Sequence, residues 1–102
     1  MEREAEKLEE LGAFAIVLEC VPAALATAIT RQRTIPTIGI GAGAGTAGQV
    51  LVLSDLLGMD ARFQPRFVRR YIQGDALVRD ALNRFANDVR TADFPAPAEV
   101  LA

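Results

Sequence analysis

"TIGIGAGAGTAGQVLVL" runs from Thr37 to Leu53. It opens as an apolar, β-branched run, passes through a glycine-rich stretch and returns to apolar residues in "QVLVLS", Gln49–Ser54. Gly43, Gly45 and Gly48 spell G-x-G-x-x-G, the spacing of a dinucleotide-binding turn. That turn requires a helix starting at the third glycine and an acidic residue closing the next strand. The residues after Gly48 are rich in β-branched types and suit a strand better. The nearest acid, Asp60, follows "LLGM" and not a strand. No Lys-Ser/Thr pair follows the glycines, which excludes a P-loop. Three readings of the loop stay open: a connection that lets backbone pass closely at the mouth of a sheet, a ligand-contacting loop, and a dinucleotide site.

Upstream, Ala13–Leu18 ("AFAIVL") is apolar at every position. A strand of that kind is expected to be buried on both faces, as in a parallel sheet. The patterns predict strands near 13–19, 36–41 and 49–54, and helices near 2–11, 22–32, 65–72 and 75–91. Pro22 is expected at the first position of the second helix, and Asp75 as the N-cap of the last one. Val78, Leu82, Phe85 and Val89 repeat at helical spacing in that helix. The stretch 93–102 is Pro-rich and expected to be an irregular tail. Alternating strands and helices make this an α/β chain with right-handed crossovers. Three such strands have too few helices to cover them, and their bare edges call for further structure.

The 102 residues suffice for one small domain, and 51% of them are hydrophobic. A net charge of −2 offers no electrostatic footprint for nucleic acid or an anionic membrane. A lone cysteine, Cys20, excludes an internal disulfide framework, and the absence of histidine removes the commonest catalytic base and metal ligand. The acidic start "MEREAEKLEE" reads as neither signal nor transit peptide, and a cytoplasmic setting is expected.

Glu19 stands at the C-terminal end of the first strand, the end that carries active sites in α/β folds. There it is either a proton carrier or a solvent-facing strand end. Cys20 is expected to be a small buried residue. Arg31 and Arg33 are expected to solvate a helix end. Arg66, Arg69 and Arg70 are expected on one short helix, as a solvated face, a subunit ion pair or a phosphate site.

Three strings, "GAFAIVLECVPAALATAIT", "IPTIGIGAGAGTAGQVLVLSDLLGM" and "RFVRRY", occur in collinear order between about Leu8 and Pro95. L-E-C-V-P followed by I-P-T-I-G-I-G-A-G is specific, and together they resemble the C-terminal part of ketopantoate hydroxymethyltransferase. The resemblance implies the last three β/α units, with terminal helices, of a (β/α)8 barrel of the phosphoenolpyruvate/pyruvate type. It implies transfer of a hydroxymethyl group from 5,10-methylenetetrahydrofolate to 3-methyl-2-oxobutanoate, giving 2-dehydropantoate, with Mg²⁺ chelating the 2-oxo acid. It makes Glu19 the catalytic acid/base, and places the family's metal-binding acids on earlier strands, so no residue here is assigned to metal or cofactor. The chain departs from the family pattern at Ala47 (usually Asp), at Ser54 (usually His before Asp55) and in its ending "APAEVLA". The expected partners are a 2-oxo acid substrate and either a complementing N-terminal half or further copies of the chain, with neither nucleic acid nor membrane. By itself the chain is expected to lack transferase activity. The alternative is a small α/β binding or scaffold module, dinucleotide-binding through Gly43, Gly45 and Gly48. A third reading is a relic whose fold persists only in an assembly.

Overall fold

A computed structural model describes residues 1–101. These form two units: residues 1–52 with 65–68, and residues 53–64 with 69 onward. The first begins with α1 (Glu2–Glu10), a run of strong helix formers with Glu2 and Glu4 in the first turn, where negative charge complements the helix dipole. Next come β1 (Ile16–Glu19), α2 (Ala23–Gln32), β2 (Thr37–Ile40) and β3 (Gly48–Gln49). Pro22 is the N-cap of α2, one position earlier than expected, with an extended ψ of 134°.

The sheet is parallel in the order β1-β2-β3. Ile16 pairs with Thr37 and Glu19 with Ile40, while Ile38 pairs with Gly48 and Gly39 with Gln49. Residues paired in this way share a face, and the faces alternate along each strand. Ile16 and Leu18 are therefore on one face and are buried in a core with Ala5, Val21, Ala26, Ile29 and Ala42. Val17 and Glu19 share the other face with Ile38 and Ile40.

Four expectations need correction. Strand β1 is not buried on both faces: Val17 is 61% exposed, because α1 and α2 of its unit pack through Ala5, Ala26 and Ile29 with Ile16 and Leu18 on the other side. The third strand is two residues long rather than spanning 49–54. Val50 N–H still donates to Gly39 O at 3.0 Å, but β2 ends at Ile40 and offers later residues no ladder. The chain turns instead into a short helix, α3 (Leu53–Leu56), in the second unit. Residues 65–72 form no helix. Val68 N–H closes a turn on Pro65 O at 2.9 Å, while Tyr71 N–H bonds Leu56 O at 2.8 Å, a tertiary partner in place of a helical one. Finally, α4 spans Gly74–Arg90 with Gln73 as its N-cap, which puts Asp75 inside the first turn.

In α4 the apolar stripe of Val78, Leu82, Phe85 and Val89 is exposed, and Phe85 meets Phe94 edge-on with ring centroids 5.3 Å apart. The tail holds one 3-10 turn, Pro97–Glu99, and is otherwise irregular through residue 101. No helix among the described residues is long and apolar enough to cross a membrane.

Candidate functional site

The C-terminal ends of β1 and β2 gather the features singled out from the sequence. Glu19 is the last residue of β1 and is exposed. Among the described residues its carboxylate takes part in no ion pair. Cys20 follows in a left-handed conformation, φ 52°, with its N–H donating to Ile40 O at 2.8 Å. Contrary to expectation, Cys20 is exposed, because the chain has to reverse there to deliver Pro22 to the start of α2.

The glycine loop is anchored from beneath. Thr37 is fully buried, and its hydroxyl stands 2.6 Å from that of Thr30, which in turn donates to Ala26 O at 2.7 Å. Ala47 N–H donates to Thr37 Oγ1 at 3.3 Å. A buried hydroxyl must find partners, and this chain of bonds satisfies it while tying the loop to α2. A Cβ at Gly43, φ 80°, would stand 2.6 Å from Ala23 Cβ, and one at Gly45 would overlap Thr27. These glycines therefore let α2 pack against the loop. Gly48 opens β3 instead of a helix, so the helix N-terminus that a dinucleotide fingerprint presents to a pyrophosphate is missing.

Beside the loop lies an open depression of about 340 Å³ lined by Gly41, Gly43, Ala44, Gln49 and Phe67. Gln49 Nε2 donates to Gly43 O at 2.8 Å and to Thr46 Oγ1 at 3.0 Å. Neither Gln49 nor Phe67 stood out in the sequence. Phe67 comes from the Pro65–Val68 segment, about twenty residues after the loop, and only tertiary folding brings it there.

The opposite end of the sheet carries a structural clasp. Glu9 of α1 accepts hydrogen bonds from Thr34 N–H at 2.8 Å, from the Thr34 hydroxyl and from Ile35 N–H at 3.1 Å, and it pairs with Arg33 Nη1 at 3.1 Å. The Thr34 hydroxyl, then its N–H, and further the Ile35 N–H and Arg33 charge hold the Glu9 carboxyl below its ordinary pKa. Arg33 is thus an ion-pair member with a side chain only 12% exposed, not a solvated helix end. The basic cluster is likewise dispersed. Arg66 and Arg69 are exposed, while Arg70 donates to the carbonyls of Asp60, Ala61 and Phe63. Arg62, hydrogen-bonded to Asp60, holds that carboxyl below its ordinary pKa.

Among the described residues no three of Cys, Asp and Glu converge on a point, so the donor set does not fit Mg²⁺. The chemistry on offer is one unpaired carboxylate at the strand ends and a rim of backbone, amide and aromatic groups.

A sequence model of the family described as ketopantoate hydroxymethyltransferase matches residues 1–97. The chain is 54% identical over 97 residues to the 3-methyl-2-oxobutanoate hydroxymethyltransferase of Prosthecochloris aestuarii, covering 95% of the chain and 35% of that protein. It is 53% identical over 92 residues to the protein of the same name from Francisella tularensis (90% and 35%). With that from Pelodictyon phaeoclathratiforme it shares 51% over 96 residues (94% and 35%). The chain therefore spans about a third of the length of the curated relatives it matches.

Proposed function

The chain belongs to the ketopantoate hydroxymethyltransferase family, and on that footing we propose that it supplies the closing part of that enzyme's (β/α)8 barrel, with Glu19 as the proton carrier. The observation that carries this reading is Glu19 itself: an exposed carboxylate with no ion pair among the described residues, at the C-terminal end of a parallel strand, on the same face as the exposed Val17. In a barrel, alternate strand residues face the interior and the C-terminal ends form the mouth. Val17, Ile38 and Ile40 would then line the interior while Ile16 and Leu18 pack outward on the helices.

In this proposal the substrate is 3-methyl-2-oxobutanoate, whose C3–H is acidified by the neighbouring 2-oxo group. The Glu19 carboxylate takes the C3 proton, leaving an enolate whose C3 bonds to the one-carbon unit of 5,10-methylenetetrahydrofolate; water supplies the hydroxyl oxygen, both carbon–nitrogen bonds break as tetrahydrofolate leaves, and the proton held by Glu19 is returned, which gives 2-dehydropantoate. A general base of this kind contributes about 10²- to 10⁴-fold. Among the described residues no magnesium site is formed, and in this proposal the metal's ligands belong to the portion of the family's length outside the chain. That portion, or further copies of the chain, would cover the bare edge of β1. The reducing cytoplasm suits the exposed free thiol of Cys20.

The test is to co-express the chain with the two thirds of the Prosthecochloris aestuarii relative that it does not cover, and to follow deuterium exchange at C3 of 3-methyl-2-oxobutanoate. Exchange needs no folate and reads proton transfer alone. The assembled pair should catalyse exchange, and Glu19→Gln should lower it about 10²-fold or more. Full exchange by the Glu19→Gln pair would remove Glu19 from the role.

A further inference from the structure

Among the described residues, two that are not glycine hold positive φ angles: Ala92 at 61° and Cys20 at 52°. Ala92 follows the last turn of α4, where a left-handed residue is the ordinary way to end a helix, and its N–H donates to Val89 O at 3.3 Å. Cys20 ends no helix. It directly follows Glu19, and a residue with a side chain stays in this region only where its surroundings enforce it.

Three contacts enforce it here. On the N-terminal side, Cys20 N–H donates to Ile40 O at 2.8 Å, which keeps Glu19 in register with Ile40 to the end of β1. On the C-terminal side, Val21 is buried in the core with Ile16 and Leu18. Strand alternation would put Val21 on the opposite face, beside Val17 and Glu19. The left-handed turn at Cys20 cancels that alternation, so the chain re-enters the core and Pro22 can cap α2. The third contact is made by the sulfur. Gly41, the residue after β2, stands next to Cys20 in the extended register and is also left-handed, φ 63°. A Cβ on Gly41 would lie 3.3 Å from Cys20 Sγ and 3.0 Å from Phe67 Cγ. The sulfur and the ring therefore close on the space that the missing side chain leaves.

We propose that Cys20 is a positioning residue, whose enforced left-handed turn, and not its thiol chemistry, aims the Glu19 carboxylate at the mouth of the sheet. This inference rests on the proposed role of Glu19 as proton carrier. No ion pair among the described residues holds Glu19, so its direction depends on the backbone that follows it. Proton transfer needs the base within hydrogen-bond reach of the C–H, and a misplacement of about 1 Å can cost about 10²-fold in rate.

The test is C3 exchange by the co-expressed pair, with kcat and KM for 3-methyl-2-oxobutanoate measured for each variant. Cys20→Ser keeps the size and removes the thiol, and its kcat should stay within about twofold of the wild type. Cys20→Val places a β-branched side chain at φ 52° and should lower kcat about 10- to 10²-fold, with KM changed less than about twofold. Cys20→Gly is free to hold or leave the turn and should fall between them. Phe67→Ala, at a half-exposed position, opens the contact beside Gly41 without altering any backbone preference next to Glu19. It should lower kcat about threefold at constant KM, and it decides the matter if Cys20→Val fails to assemble. Unchanged kcat in both Cys20→Val and Phe67→Ala, Cys20→Ser as impaired as Cys20→Val, or losses confined to KM would each overturn the proposal. Glu19→Gln in the same assay separates the two readings. Full exchange by Glu19→Gln removes the proton carrier, whereas exchange lost there but retained in Cys20→Val and Phe67→Ala removes only the positioning role.

Discussion

At the scale of single residues, two carboxylates at opposite ends of one small sheet have opposite fates, and their partners explain why. Glu9 is fully engaged by Thr34, Ile35 and Arg33 before β2 begins, whereas Glu19 ends β1 with no ion pair among the described residues. The first is a clasp, the second the carboxylate we propose as the proton carrier. The lowered pKa of Glu9 has a testable consequence. A carboxyl depressed on folding contributes stability that is present above its unfolded value, 4.5, and is lost as pH falls through the folded value. Thermal midpoints of the wild type should therefore drop more steeply than those of Glu9→Gln below about pH 4.5; parallel curves would count against the clasp. Glu19 was legible from sequence because its position after an apolar run is a local signal. Glu9 was not, since nothing within α1 marks it apart from Glu6 or Glu10; its partners lie about 25 residues away.

At the scale of elements, the helices were read well where an amphipathic stripe met a core and poorly where a tertiary bond intervened. Helix α2 exemplifies the first case. Ala26 and Ile29 are buried to 1% exposure or less, and Ile29 is among the most enclosed side chains of the molecule. Removing its branched end should leave a cavity that the sheet cannot close: Ile29→Ala is expected to cost about 2–5 kcal/mol in denaturant unfolding. A loss below 1 kcal/mol would mean that α2 is not held by this face. The segment 65–72 exemplifies the second case. "PRFVRRYI" has acceptable helix propensity, yet Tyr71 N–H is taken by Leu56 O and Val68 is drawn into the core-bearing unit. The run "QVLVLS" failed as a strand for a related reason, because β2 supplies hydrogen-bond partners only as far as Val50.

At the scale of the whole molecule, the missing cover is the dominant fact. The outer edge of β1 pairs with no strand among the described residues, Val17 and Phe14 are exposed, and α4 leaves Phe85 and Leu82 half or more exposed. Open parallel edges and apolar stripes associate in water. The purified chain should therefore show a mass in light scattering that rises with concentration, and adding the uncovered two thirds of a relative should replace that with a discrete complex. A concentration-independent monomer would argue against both kinds of cover. The sequence by itself determined the class of fold, the first two strands, three of the helices and the family, because hydrophobic period, helix propensity and a specific string of residues are local properties. Only the tertiary structure decided where β3 stops, what 65–72 becomes, that Gly43 and Gly45 make room for α2, and that Phe67 and Gln49 flank the loop that opened the reading. Each of those depends on which distant group takes a backbone hydrogen bond or fills a space, and no local pattern carries that information.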